Sequence, residues 1–492
     1  MNRQESTIKR GDKVEVRITS LAPGGEGVSK DFGLPIFVNR VAKGDQALVE
    51  IFDRRKNFAR GRVLEILSPS PDRTEAPCKL FKVCGGCQWQ HIKYEAQLSA
   101  KEEIVKQSLS HMAGMSSIPV NSTIASERQF FYRNKVNFPV RHPKGSSRIL
   151  AGYYEQDSHR LVNVKHCPIQ PQPLDAMLEA AKAALEKFGV SAYDETTGEG
   201  LLRFITARYS EHNDQMLVTL VVNCAKNEMP DCLNQAALDI AANLPNLVGV
   251  CANFNTQAGN RILGGETVCL TGKPYIEETL KTKREDYPLP LNAGLAFRLS
   301  SNSFFQVNTL QAVNLLEKLS DLILDFSTNN ALPLKEMVVV DAYAGVGAIA
   351  LWLSPFVKEV VAVEEIADAV QDGQVNLKLN KVENVDFRCG KVEQVLPRLF
   401  MEGVRPSVVI VDPPRKGCSE RALAAVLEFA PSLVLYVSCN PVTLARDLKI
   451  LGGGGGGAKY GYKTEKVLPV DLFPQTYHVE SVAVLHRQLP NG

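Results

Sequence analysis

Two short apolar runs constrain this chain most: residues 408–411 (VVIV) and 433–437 (LVLYV). Each stops at an unusual polar cluster, Asp412-Pro413-Pro414-Arg415-Lys416-Gly417 and Ser438-Cys439-Asn440-Pro441. Runs so short and so uniformly apolar read as strands buried on both faces of a parallel sheet. In an open α/β sheet ligands sit beyond the carboxyl ends of the strands, so neighbouring strands ending this way bring an acid and a thiol to one crevice. On this reading Cys439 is a nucleophile and Asp412 lies beside it.

The same alternation extends upstream. Residues 337–340 form a continuous apolar strand that runs into Asp341-Ala342-Tyr343-Ala344-Gly345-Val346-Gly347, where glycines let the backbone approach a ligand at the start of a helix. The next strand, 359–363, ends in Glu364, about twenty residues past the glycines, where an acid can bind a ribose hydroxyl pair. A nicotinamide site carries a third glycine, and Ala350 stands there instead. S-adenosylmethionine needs the same two places but has no pyrophosphate, so it fits better. Further helix and strand patterns at 367–379 and 385–389 complete the series, and Ser300 to Asn308 reads as an N-capped entry into a helix ending near Leu324. The expected fold class is α/β, a Rossmann-like domain suited to S-adenosylmethionine with further units before it.

A length of 492 residues suggests about three domains. Charge is balanced at net +2, so a nucleic-acid partner has to be argued from local clusters. There is no run of about 18 apolar residues and the N-terminus is polar, so the expectation is a cytoplasmic protein with no membrane segment. From Ile8 to Leu67, five short alternating strands with glycine turns suggest a small barrel of the OB type. Arg54, Arg55, Lys56, Arg60 and Arg62 around Phe58 could form a positive groove for single-stranded nucleic acid. The plainer reading is a solvated basic face on a structural barrel.

Eleven cysteines, an odd number, point to metal or catalytic thiols rather than a disulfide framework. Cys78, Cys84 and Cys87, with a distant fourth ligand, fit an iron–sulfur cluster better than zinc, which favours paired short spacings. Unrelated buried cysteines are the bland alternative. C-x5-C-x2-C is not a radical-generating spacing, so the cluster would be structural or RNA-orienting. Between Arg128 and Arg148 basic residues interleave with aromatics, a pattern that suits either base stacking or a strand with aromatics inward. An α+β region follows, in which Cys224, Cys232, Cys251 and Cys269 read as core residues. The six glycines at 452–457 read as a flexible surface loop.

Taken in order, Cys78/Cys84/Cys87/Cys167, Phe305-Gln306-Val307-Asn308, Asp341 to Gly347, Asp412 to Gly417, Ser438 to Pro441 and Phe473 to Glu480 resemble the RNA uracil-5-methyltransferases. The likeness is to the bacterial 23S rRNA branch, with an N-terminal TRAM domain and a 4Fe-4S cluster, and it covers nearly the whole chain. It implies that Gln306, Tyr343, Glu364 and Asp412 contact S-adenosylmethionine, that Cys439 is the nucleophile and that Glu480 is the base. It also implies that Cys78, Cys84, Cys87 and Cys167 hold the cluster. The implied domains are 1–69, a TRAM barrel; 70–93 with 128–294, a central cluster and RNA-binding domain; and 94–127 with 295–492, the catalytic domain. The implied partner is RNA, 23S rRNA before tRNA, and the implied state is a monomer.

The chemistry suits these residues. Carbon 5 of uracil becomes nucleophilic only after a thiolate adds at carbon 6, and a carboxylate must then remove the surplus proton from carbon 5. The helix after Pro441 and the nearby Arg415 are expected to lower the Cys439 pKa. A non-catalytic RNA-binding assembly factor would not need Cys439. An amino-methyltransferase would show an aromatic where Arg415 stands.

Overall fold

The structure, a computed structural model, describes residues 8–453 and 461–488. Its largest C-terminal element is a seven-stranded sheet in the order Val385–Cys389, Glu359–Glu364, Val338–Ala342, Val408–Val411, Leu433–Ser438, Glu480–Arg487, Tyr462–Val470. The first five strands are parallel, and Glu480–Arg487 runs antiparallel to both its neighbours, Leu433–Ser438 and Tyr462–Val470. Alternate side chains of each strand enter two separate cores, which is why these runs are apolar throughout. Val339, Ile410 and Leu435 pack under the helices Thr309–Asn329 and Ala348–Leu353. Val340, Val409 and Val434 pack under Val392–Met401, Glu420–Phe429 and Pro441–Gly453. Asn308 caps the first of these helices, accepting from Gln311 N at 3.2 Å, and the helix runs five residues beyond the expected Leu324 to Asn329. Gly452 and Gly453 close the last helix; the rest of the glycine run lies outside the described residues.

The N-terminal unit is a six-stranded sheet, Lys13–Arg17, Gln46–Arg54, Ala59–Ser68, Ile36–Val38, Gly27–Ser29, Ser20–Leu21 in spatial order, one strand more than the glycine punctuation suggested. Its basic residues are less free than they read. Arg62 faces Glu50 across the strands and pairs with it at 2.6 Å, Arg60 meets Glu26 at 2.5 Å, and Arg55 meets Asp53 at 3.1 Å. Cross-strand pairing, invisible in a linear reading, removes much of the expected positive groove.

Between them lies a second seven-stranded sheet containing Lys135–Arg141, Leu202–Ser210, Gln215–Val222 and Leu247–Phe254, with the helices Gln172–Lys187 and Asp231–Asn243 on one face. The helix Tyr94–Ala113 bypasses this sheet and packs on the C-terminal core through Val105 and Leu109. Its Lys101 forms a fully buried ion pair with Asp471 at 2.5 Å and also donates to the Phe473 carbonyl at 3.1 Å. Removing one partner of such a pair leaves the other charge buried alone, so Lys101→Met should destabilise the protein by about 3–5 kcal/mol. Denaturant melts of the two proteins check this; equal midpoints would show the pair to be dispensable. No helix among the described residues is long and apolar enough to cross a membrane.

Candidate active site

The sheet order gathers the distant motifs. Asp341, Asp412 and Cys439 lie at or just beyond the carboxyl ends of three adjacent parallel strands. Glu480 opens the antiparallel strand beside the third, with Ser481 opposite Ser438, so the start of one strand meets the end of the other. The Asp-Pro-Pro and Ser-Cys-Asn-Pro loops are tied together. Asn440 Nδ2 donates to the Arg415 carbonyl at 3.0 Å while its Oδ1 accepts from Val442 N at 3.1 Å, capping the following helix. Arg415 Nη2 lies 3.4 Å from His478 Nε2. Burial, with Arg415, Lys101 and Arg133 around it, holds that imidazole down at about 3, so it is neutral.

Acidic groups dominate the crevice. Burial and then Asp412 push the Glu480 carboxyl well above its usual range, and Glu480 Oε1 is buried without a partner. Burial raises Asp412 to about 6. Asp341 rises to about 8 through burial and Asp412; its Oδ2 accepts from Ala350 N at 3.1 Å, and its Oδ1 has no partner. The Cys439 thiol is pushed up to about 11, by burial first and Glu480 second. This corrects the expected lowering: Arg415 acts in the anticipated direction but is outweighed. A crevice with a thiol and three carboxyl groups, two of them with unpaired buried oxygens, is short of positive charge. S-adenosylmethionine, carrying a sulfonium and an ammonium, meets that need.

The glycine loop has the matching form. Gly347, at φ 84°, could take no Cβ, which would fall 2.7 Å from Phe387, whereas Gly345 borders open space. Glu364 Oε2 accepts from Gly345 N at 2.9 Å and Oε1 from Ile366 N at 2.8 Å, fixing the carboxylate at the crevice edge. Gln306 is held by its backbone, its carbonyl accepting from Asn134 Nδ2 at 3.1 Å, and its side-chain amide has no partner among the described residues. Tyr343 sits at φ 70° with its ring packed into the lower core beside Cys418. Behind it is a network that sequence reading missed. Buried Asp447 accepts from Tyr436 Oη at 2.5 Å and from Cys418 N at 2.8 Å, pinning the end of the Asp-Pro-Pro-Arg-Lys-Gly loop. Its position inside an ordinary helical pattern carried no signal.

Cys78, Cys84, Cys87 and Cys167 come from two separate segments to one place. Burial raises the last three, Cys87 to about 12; Cys84 also feels Cys78, Cys87 feels Cys84 and Cys78, and Cys167 feels all three. Gly86 N donates to Cys84 Sγ at 3.3 Å, and a Cβ on Gly85 would fall 2.9 Å from the Gln156 backbone, so the tight loop requires glycine. Among the described residues no three ligands stand close enough for a single metal ion. Thiols alone as a donor set suit either zinc or an iron–sulfur cluster.

A doubly wound sheet with a glycine loop, an acid at the end of the next strand and a thiol–carboxylate crevice is the architecture of an S-adenosylmethionine-dependent methyltransferase. Residues 93–488 match the tRNA (uracil-5-)-methyltransferase family and residues 8–64 the TRAM domain; the chain belongs to that family and is an S-adenosylmethionine-dependent RNA (uracil-5-)-methyltransferase. It is 40% identical over 485 residues to an uncharacterized RNA methyltransferase of Gloeobacter violaceus, covering 98% of each chain. It is 36% identical over 480 residues to one of Bacillus cereus, covering 97% of this chain and 98% of that one. Among solved structures it is similar to the Pyrococcus abyssi tRNA (uracil-54, C5)-methyltransferase in complex with S-adenosyl-L-homocysteine. That match has TM-score 0.71, 26% identity and coverage of 96% of this chain and 99% of that one.

Proposed function

We propose that this enzyme methylates carbon 5 of a uridine in 23S rRNA, with Cys439 as nucleophile and Glu480 as base. The observation that carries the chemistry is the meeting of Cys439 and Glu480 across adjacent strand ends, beside Asp412 and Arg415. The uridine is extruded from its stack to reach them, since neither face of carbon 6 is open otherwise. S-adenosylmethionine supplies the methyl group as an electrophile. Gln306, the Tyr343 loop, Glu364 and Asp412 hold it, and its positive charge draws the neighbouring acids and thiol back toward their ionised forms. Cys439 then adds at carbon 6, carbon 5 takes the methyl, and Glu480 removes the proton so that the thiolate can leave.

By the resemblance, the N-terminal barrel together with the four-cysteine group accompanies the rRNA branch and so supports rRNA, although related enzymes with a cluster can act on tRNA. The name of the Pyrococcus enzyme, a tRNA methyltransferase, supports the second reading, tRNA. Labelled S-adenosylmethionine offered with unmodified 23S rRNA and unmodified tRNA decides: label in 5-methyluridine of rRNA is expected, and label in tRNA alone would overturn the substrate. We assign residues 70–93 and 128–294 to a central domain holding a 4Fe-4S cluster on Cys78, Cys84, Cys87 and Cys167. Residues 94–127 and 295–492 form the catalytic domain of a cytoplasmic monomer. Protein purified without air should be brown and lose the colour in Cys84→Ser, where a thiolate ligand to iron is removed. A colourless wild type with no bound iron would refute the cluster.

A further inference from the structure

The aromatic and basic stretch at 131–137 alternates cleanly. Tyr132, Asn134 and Val136 are buried, while Phe131 is exposed and Arg133, Lys135 and Asn137 are partly so. The buried set fastens the stretch between the two loops of the active site. Tyr132 Oη donates to the Pro474 carbonyl at 2.9 Å, in the loop leading to Glu480. Asn134 N donates to the Val307 carbonyl at 2.8 Å and Asn134 Nδ2 to the Gln306 carbonyl at 3.1 Å, in the loop carrying Gln306. Arg133, between these anchors, therefore sits at the mouth of the crevice, and its charge reaches His478.

The outward set lacks anions. Arg133 Nε donates only to the Lys135 carbonyl, at 3.0 Å, and among the described residues neither side chain forms an ion pair. Opposite Lys135 in register is Arg208, whose Nη1 is buried without a partner, and the Asn137 Oδ1 is likewise unpaired. Burial and the neighbouring Arg208 pull the Lys135 ammonium down to about 7. Arg208 has Glu278 and Asp372 near it, but among the described residues Arg133 and Lys135 have no such partner, and partly buried cations without a counter-ion are unfavourable unless a ligand brings the negative charge. Phe131 heads the row, 41% exposed and at φ 55°, a conformation that a bulky residue rarely adopts.

We propose that Phe131, Arg133 and Lys135 form the subsite for the single-stranded RNA flanking the target uridine, with phosphodiesters on the two cations and a neighbouring base stacked on Phe131. Aromatic-plus-cation rows bind single strands in this way. The assignment rests on Cys439 marking the place of the uridine.

The test is binding of a fluorescent oligouridylate over a range of salt concentrations, by anisotropy, to the full-length protein. Each phosphate contact contributes about 0.7 to the slope of log affinity against log salt, so Arg133→Gln and Lys135→Gln should each flatten it by about 0.7 and together by about 1.4. Lys135→Arg should restore the slope, and Phe131→Ala should weaken binding about tenfold with the slope unchanged. Thermal stabilisation by S-adenosylmethionine confirms that each variant is folded. Parallel salt lines for wild type and the folded double variant would overturn the subsite. If the double variant is not folded, oligouridylates with single uncharged methylphosphonate linkages are titrated against wild type and Lys135→Gln. A linkage that weakens wild type but not the variant supports the contact, and equal effects on both overturn it. Formation of a Cys439 adduct with 5-fluorouridine RNA is scored separately: its absence in wild type sinks the placement of the uridine, whereas its presence with unchanged slopes sinks only the subsite.

Discussion

Cys439→Ala should reduce methyl transfer at least about 10⁴-fold, equivalent to about 5.4 kcal/mol of barrier, while S-adenosylmethionine binding stays within about twofold of wild type. The separation of effects follows from the sheet. The glycine loop and Glu364 belong to the strands Val338–Ala342 and Glu359–Glu364, whereas Cys439 follows Leu433–Ser438, with Val408–Val411 between. The side chain is half-buried, so losing one sulfur leaves little cavity. Single-turnover label transfer and calorimetric cofactor binding, run in parallel, read the two quantities. Turnover within tenfold of wild type would refute nucleophilic catalysis by this thiol.

Glu480→Gln should separate the two halves of the reaction. Burial and Asp412 already disfavour the charge on this carboxyl, so a neutral amide of the same shape is tolerated by the fold. What is lost is the ability to take the proton from carbon 5, a step in which a positioned base contributes roughly 10²–10⁴-fold. Steady-state turnover should fall by that factor while a protein–RNA adduct carrying the transferred methyl group accumulates and survives a denaturing gel. Normal turnover with no adduct would remove Glu480 from the mechanism.

The C-terminal sheet was legible because strands buried on both faces are written as uninterrupted apolar runs, and polar clusters at their ends cannot be part of a core. The barrel was legible in kind but not in strand number, since Ser20–Leu21 is only two residues long and has no periodicity to read. What a linear reading could not supply is adjacency and depth. Arg415 was correctly seen as a cation near the thiol, but the burial that outweighs it depends on the packing of loops far apart in sequence. The cross-strand pairing of Arg62 with Glu50, the inward turn of the Tyr343 ring and the clamp made by Asp447 are of the same kind. The alternation at 131–137 left two readings open, and the structure meets the packing one in part: Tyr132 is buried and Arg133 and Lys135 are partly exposed, but aromatic Phe131 is exposed as well.

The lysine–aspartate pair between residues 101 and 471 has a neighbour of equal span, Gln97 Nε2 to Gln475 Oε1 at 3.0 Å, and both close the loop that ends at Glu480. During synthesis on a ribosome the helix Tyr94–Ala113 emerges some 370 residues before the partners of its buried lysine. The helix must wait with an apolar face and a cation exposed, and contacts of such long sequence separation form late. The Glu480 carboxyl is therefore among the last groups to be set in place, long after the N-terminal sheet has emerged.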